Sequence, residues 1–247
     1  MEKSLKRNDN TDQLERMKFS FFPGCSLKAS GHENTLSLLK FCDKVNVDLI
    51  ELEDWNCCGS SSAHSIDHMV SQNLPMRNIS LAPKGIPLMI ACPSCLIRMK
   101  SMYLKIKKDK NLQKEYEALW QKPFDDELEI IHFFEIFDRI SLKDYIYDPK
   151  GKLKNIKVAP YYGCMLSMPP ELRLEKNYYG VMEKTLSKLG ADMISYGYGA
   201  RCCGTYLSAA KPKLAEKVVN EIVSKAMEAG AECLVTSCAM CHLNLEI

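Results

Sequence analysis

Two cysteines stand side by side in "DWNCCGSSSAHS", residues 54 to 65. Cys57 and Cys58 are poorly placed to bridge to each other, because consecutive Cα atoms lie about 3.8 Å apart, whereas an ordinary disulfide spans roughly 4.4 to 6.8 Å. The pair belongs to a larger array. Thirty-one residues separate Cys25 from Cys57, and 33 separate Cys58 from the Cys92-Pro93-Ser94-Cys95 motif. The same device then recurs: Cys164, 37 residues, Cys202-Cys203, 34 residues beginning with Gly204, and Cys238-Ala239-Met240-Cys241. The flanks repeat as well, "FSFFPGC" at 19 to 25 matching "VAPYYGC" at 158 to 164, and "PLMIACPSC" matching "ECLVTSCAMC". Five cysteines in the same order, with spacers differing by at most six residues, mark an internal duplication.

Each array offers five thiols to chemistry. A structural zinc site takes four ligands, commonly two Cys-x-x-Cys pairs, and here one pair is vicinal. Iron-sulfur clusters are also held by thiolates and contain several irons. Adjacent cysteines with diverging side chains suit such a group, one reaching each iron or one bridging two. Gly59 and Gly204 would let the backbone turn tightly beside it.

The rest of the chain bounds this reading. Twelve cysteines among 247 residues do not suit a reduced compartment as a disulfide scaffold, which leaves metal binding or redox chemistry. Hydrophobic residues make up 46% and charged residues 26%, an ordinary globular balance. A net charge of +2 argues against nucleic acid as partner. No run reaches the 18 or more apolar residues of a membrane span, and residues 1–17 mix both charge signs without an apolar leader. A cytoplasmic protein with a flexible N-terminal tail, 1–17, is expected.

The cysteines need elements to position them. Apolar runs at 18–22, 47–52, 87–91, 156–162, 192–196 and 233–236 have strand length, and the segments between them have helix length. "ENTLSLLKFCDKV" and "YGVMEKTLSKLG" are matching amphipathic helices, the second closed by Gly190. Leu36, Leu39 and Phe41 or Cys42 are expected on the inner face of the first. Strands alternating with helices predict an α/β fold of two pseudo-symmetric halves, each with a small, mainly parallel sheet and one cysteine array. Sites in such sheets gather at the carboxyl ends of strands, and Cys25, Cys92, Cys164 and Cys238 stand at or just after predicted strand ends. The expected division is 18–150, a first domain with a helical connector, and 151–247, a second domain. Within the connector, a basic helix-forming stretch turns Tyr103, Tyr116 and Trp120 inward, "ELEIIHFFEIF" runs from strand into helix, and "YDPKGK" is a turn. Cys42 and Cys233 fall outside the arrays and are expected to be packing residues. His132 is expected to be a core or capping residue.

"FFPGCSLKAS…ELEDWNCCGSSSA…CPSCL" followed by "YYGCML…CCGTYLS…SCAMCHLNLE" resembles the cysteine-rich catalytic subunit of the heterodisulfide reductases, a family of duplicated cysteine-rich CCG domains. The resemblance covers residues 18 to 247. It implies that Cys25, Cys57, Cys58, Cys92 and Cys95 hold one noncubane four-iron four-sulfur cluster and that Cys164, Cys202, Cys203, Cys238 and Cys241 hold another. It also implies that a small-molecule disulfide, of the coenzyme M–coenzyme B type, is reductively split between them. The cysteines are then ligands rather than nucleophiles, and no protein general acid is evident. A ferredoxin-like iron-sulfur subunit and a flavin-containing subunit are the implied partners, in keeping with the absence of a G-x-G-x-x-G fingerprint and of a C-x-x-C-x-x-C run. Lys28, His32, Arg98, Arg173 and Arg201 lie near the cysteines in sequence and are candidates to orient an anionic substrate. Two departures concern the substrate: "CMLSMPPELR" lacks a basic residue before its proline pair, and the chain stops sooner after "CHLNLEI" than the family leads one to expect.

Other readings compete. "LMIACPSCLIRM" has the strand, Cys-Pro-x-Cys and helix of a thioredoxin-like dithiol, which leaves eight array cysteines without a role. A non-catalytic metal scaffold is a second alternative. Within the family, relatives serve lactate or glycolate oxidation, thiol-fumarate systems and sulfur oxidation, some of them passing electrons without reducing a disulfide.

Overall fold

The structure, a computed structural model, describes residues 16–60, 63–141, 153–167 and 176–246. Two parallel sheets form its frame. In the first, β1 (Met17–Phe22), β2 (Val47–Glu51), β3 (Leu88–Ile90) and β4 (Ile130–His132) take the order β2-β1-β3-β4. In the second, β5 (Lys157–Tyr161), β6 (Asp192–Met193) and β7 (Cys233–Thr236) take the order β6-β5-β7. All pairings are parallel. The first three strands of each half thus repeat one pattern, and β4 is an addition to the first half. Parallel sheets are covered on both faces, which is why Phe19, Phe21, Phe22 and all of β3 are apolar and buried. Ser20, the polar residue inside β1, satisfies its hydroxyl by donating to Pro87 O at 3.2 Å.

The helices repeat in parallel with the strands. After β1 come α1 (Cys25–Lys28) and α2 (His32–Lys44); after β5 come α8 (Gly163–Ser167) and α9 (Val181–Lys188). Gly190, at φ +94°, follows α9 as the sequence predicts. α3 (Ala63–Ile66) and α4 (His68–Leu81) lead into β3, as α10 (Pro212–Glu228) leads into β7. Each Cys-x-x-Cys motif then opens a helix, α5 (Pro93–Lys108) or α11 (Ala239–Leu245). The first half adds α6 (Lys110–Trp120), β4, a 3-10 turn at Phe133–Glu135 and α7 (Ile136–Arg139) before the second half begins. Asp109 ends α5 and caps α6, its side chain accepting from the Asn111 and Leu112 N–H groups. The basic stretch is therefore not a separate connector helix at its start: it continues the helix that Cys92-Pro93-Ser94-Cys95 opens. Tyr103 and Tyr116 pack inward on Phe124, with ring centroids 5.3 and 5.5 Å away, and Trp120 packs against the same cluster.

Two sequence expectations need correction. On α2 the buried residues are Thr35 and Cys42, with Leu38 and Phe41 packed against the core, whereas Leu36 and Leu39 are 45% and 40% exposed. Positions 35, 38 and 42 follow the 3-then-4 spacing of one helix face, and 36 and 39 lie on its flank. Cys42 is buried, as expected of a packing residue, but Cys233 is exposed. Cys233 opens β7, so the length of that strand separates it from the carboxyl-end cysteines. The proposed "YDPKGK" turn and Arg173 lie outside the described residues.

The halves pack on one another. Tyr162, Leu166, Tyr178 and Met182 of the second share a buried cluster with Phe134, Leu96 and Met99 of the first. Ala239 closes on the other side, against Leu27 and Met89. A Cβ on Gly31 would stand 3.1 Å from that of Ala239.

Candidate metal centre

The cysteines gather where the strands end. Cys25 follows β1, Cys92 follows β3, Cys164 follows β5 and Cys238 follows β7, while the vicinal pairs arrive on loops. Cys25 and Cys57 sulfurs lie 3.6 Å apart, Cys58 and Cys95 3.1 Å, and Cys203 and Cys241 3.5 Å. These distances are well beyond the roughly 2.05 Å of a disulfide, and all twelve cysteines are free. The neighbour relations continue without a break. Electrostatic coupling relates Cys57 to Cys58, Cys95 to Cys92, and Cys92 to Cys238. Beyond that pair Cys238 is coupled to Cys241, Cys203 to Cys202, and Cys202 to Cys164. Ten thiols form one series, 25–57–58–95–92 meeting 238–241–203–202–164, which reads the same from either end.

Proximity splits the acidities of these thiols. Hydrogen bonds from Cys57 and Cys95 pull Cys58 down to about 4, and those from Cys202 and Cys241 pull Cys203 down to about 2. Their neighbours Cys95 and Cys241 are pushed up, first by the bonds to Cys58 and Cys203 respectively. Cys92 is held well below its ordinary value by Cys238 and Cys95. Cys164 falls to about 7 through its bond from Cys202, which is itself raised by Cys164 and Cys203. Protonated thiols thus shield thiolates, because so many buried sulfurs do not all ionise without positive charge among them. A cationic inorganic core held by these cysteines would supply that charge and let their thiols ionise.

The backbone leaves room for such a core. Gly24 and Gly163 immediately precede Cys25 and Cys164, and a Cβ there would stand 3.1 Å from Cys95 Sγ and 3.3 Å from Cys241 Sγ. Among the described residues, no three His, Cys, Asp or Glu side chains close around one point as a single metal ion would require. The donor set fits a group with several metal atoms.

Sequence reading missed the residues that hold the vicinal pairs. Asn78, fully buried on α4, accepts from Asn56 N at 3.0 Å and donates to Asn56 O at 2.8 Å, fixing the residue before Cys57. Arg77 beside it donates to Asp54 O at 2.6 Å and Asn56 Oδ1 at 2.9 Å. In the second half Asn244 donates to Cys203 O at 2.7 Å and accepts from Ser208 Oγ at 2.6 Å. A polar residue on a buried helix face is the available sequence signal for each. His132 proves to be both core and cap: its Nε2 donates to Ala91 O at 3.0 Å, its Nδ1 accepts from Phe134 N at 3.3 Å, and burial pulls its pKa down to about 4.

The candidate cations are mostly engaged. Lys28 pairs with Glu51 at 2.7 Å, and Arg201 pairs with Glu221 at 2.7 Å while lying over the Tyr198 ring. Arg98 donates to Ser71 O at 3.3 Å. His32 is exposed at the start of α2.

Known proteins resemble the chain over most of its length. The chain is 27% identical over 235 residues to the 8-methylmenaquinol:fumarate reductase membrane anchor subunit of Wolinella succinogenes, covering 93% of this chain and 82% of that one. It is 24% identical over 243 residues to a subunit of the Ferredoxin/F(420)H(2)-dependent CoB-CoM heterodisulfide reductase of Methanosarcina acetivorans, covering 93% and 79%. Both relatives are subunits of redox enzymes. A crystal structure of a hypothetical protein from Helicobacter pylori shares the fold, with a TM-score of 0.70 at 10% identity over 92% of this chain, which spans 42% of that one. No helix among the described residues is long and apolar enough to cross a membrane. The family model of the cysteine-rich CCG domain matches residues 19–100 and again 158–246, so the chain belongs to the CCG cysteine-rich domain family and carries the domain twice.

Proposed function

We propose that the chain is the iron-sulfur catalytic subunit of a disulfide reductase complex of the heterodisulfide type. Cys25, Cys57, Cys58, Cys92 and Cys95 hold one noncubane four-iron four-sulfur cluster, and Cys164, Cys202, Cys203, Cys238 and Cys241 hold the second. Residues 18–150 and 151–247 are the two domains, each built around one array, with 1–17 preceding them. The observation that carries this reading is the palindromic thiol series, whose halves are electrostatically coupled at Cys92 and Cys238. A disulfide takes up two electrons and two protons to become two thiols, and two one-electron centres held side by side meet that demand. Within this arrangement Asn78 and Asn244 fix the loops of the vicinal pairs, and the apolar packing of Phe22 and Tyr161 behind the cysteines excludes water. Electrons come from partner subunits, one ferredoxin-like and one flavin-containing.

A second reading rests on the relative named for fumarate reduction, at 27% identity: an electron-transfer subunit that reduces no disulfide. One experiment separates the two. Cys58→Ala and Cys203→Ala are prepared anaerobically within the complex, and iron content, cluster spectra and turnover against disulfide and quinone panels are measured. The wild type is expected to carry about eight irons, four per cluster as in this family, and each variant about half of that with no disulfide reduction. Substantial disulfide reduction by either variant refutes the two-cluster mechanism, and wild-type turnover with quinones alone favours the electron-transfer reading. Stoichiometric zinc with little iron refutes both.

A further inference from the structure

The internal repeat provides two equivalent slots, and the first one is filled. The outer edge of β3 is paired by β4, Leu88 with Ile130, Met89 with Ile131 and Ile90 with His132. β4 and the aromatic turn after it lie against the residues leading into α9. Tyr178 donates to Glu135 Oε1 at 2.6 Å, and its ring centroid lies 5.4 Å from that of His132 and 6.4 Å from that of Phe134. His132 then donates to Ala91 O, on the residue before the first cysteine of the Cys-x-x-Cys motif.

In the second half β7 is the counterpart of β3, and in chain order α2 is the counterpart of α9. Between β7 and α2 the slot is open. A cleft of about 470 Å³ is walled by Leu38 and Phe41 of α2, by Phe137 of α7 and by Val235 of β7, with Cys238 at its base. Among the described residues β7 is paired on one side, by β5, and by no strand on the other. Such an edge presents backbone groups ready for another strand. Ser237 also lines the cleft and is the counterpart of Ala91. Its Oγ is shielded from solvent and, among the described residues, has no hydrogen-bond partner.

We propose that this cleft docks a partner polypeptide, which adds a short apolar strand parallel to β7 and follows it with an aromatic turn, as residues 130–135 do on β3. Strand addition to an open edge, with side chains seated in flanking apolar pockets, is an established mode of peptide recognition. A second copy of this chain is poorly suited to the role, because its strand and aromatic turn of this kind, Ile130–Glu135, are already seated in their own slot. The bound strand covers Cys238 and offers Ser237 the partner it lacks. This inference stands apart from the redox reading, since it rests on strand pairing and packing alone.

The test uses the full-length, anaerobically prepared chain and a fluorescent peptide copying its own residues 127–138, the occupant of the first slot. Saturable binding by anisotropy is expected, together with slowed hydrogen exchange in residues 233–239, and a scrambled peptide should not bind. Leu38→Arg should weaken binding at least about tenfold while iron content stays at the wild-type value. Should Leu38→Arg fail to fold, Ser37→Trp, an exposed residue on the rim of the cleft, is expected to block the peptide equally. No binding by the wild type, equal binding of the scrambled peptide, or binding unaffected by these substitutions overturns the proposal. So does a dimer of the chain that the same substitutions dissociate, which would make the occupant a second copy.

Discussion

Gly59 and Gly204 occupy equivalent places beside the vicinal cysteines, yet alanine should be tolerated at one and not at the other. Both have left-handed backbone, φ +73° and +78°, which costs an L residue about 1–2 kcal/mol. Stiffening of the unfolded chain returns about 0.4–1 kcal/mol of this. Up to here the two sites are equal, at about 1 kcal/mol each. Their surroundings differ. A Cβ on Gly204 meets nothing closer than 3.7 Å, whereas one on Gly59 would stand 2.8 Å from both Ala63 Cβ and Leu74 Cδ1. Leu74 is able to rotate its methyl away, but Ala63 Cβ moves only with the backbone of α3. Overpacking of this kind adds about 1–3 kcal/mol. Gly204→Ala is therefore expected to cost about 1 kcal/mol and Gly59→Ala about 2–4 kcal/mol. At about 2–4 °C per kcal/mol for a chain of this size, anaerobic thermal unfolding should separate the variants by several degrees. Equal midpoints, or a lower one for Gly204→Ala, would refute the assignment of the difference to the Ala63 contact.

Cys42→Ala should lower stability by about 1 kcal/mol and Cys233→Ala by less than about 0.5 kcal/mol, in line with core and surface substitutions, and both should keep full iron content by metal analysis. Asn78→Leu leaves the N–H and C=O of Asn56 without their partner, at about 1–3 kcal/mol for each group left buried; a lowered unfolding midpoint and reduced iron content check it. His132 gives a pH dependence. The unfolded imidazole takes a proton near 6.5 and the folded one only near 4, so the unfolded state binds more protons between these values. Stability from this residue is complete above pH 6.5 and falls by about 3 kcal/mol as pH drops to 4, a loss that unfolding midpoints at pH 7 and pH 5 should show in the wild type and not in His132→Gln.

The duplication and the strand-end position of four cysteines were legible because both are local: an apolar run, a glycine and a cysteine at fixed spacing. His132 was also readable, since a histidine flanked by apolar residues at the end of a strand has few options besides capping. The inner face of α2 was misread because leucines drew attention away from Thr35, whose hydroxyl is satisfied by donating to Leu27 O at 2.7 Å. Cys233 was misread because burial of a strand residue depends on which neighbours cover it, and β7 lies at an edge. The bonds of Asn78 and the coupling of Cys92 to Cys238 depend on pairings between distant segments, and a single sequence carries no local trace of them.

The duplication also left the two ends of the thiol series unlike each other. Cys25 and Cys57 are exposed, while their counterparts Cys164 and Cys202 are only partly so. Oxygen, chelators and iron donors in solution therefore reach one end of the series before the other. If the arrays hold the proposed clusters, damage and repair should proceed in order, the first array losing its metal first and regaining it first, so that a briefly aerated sample passes through a half-loaded species with the second array intact.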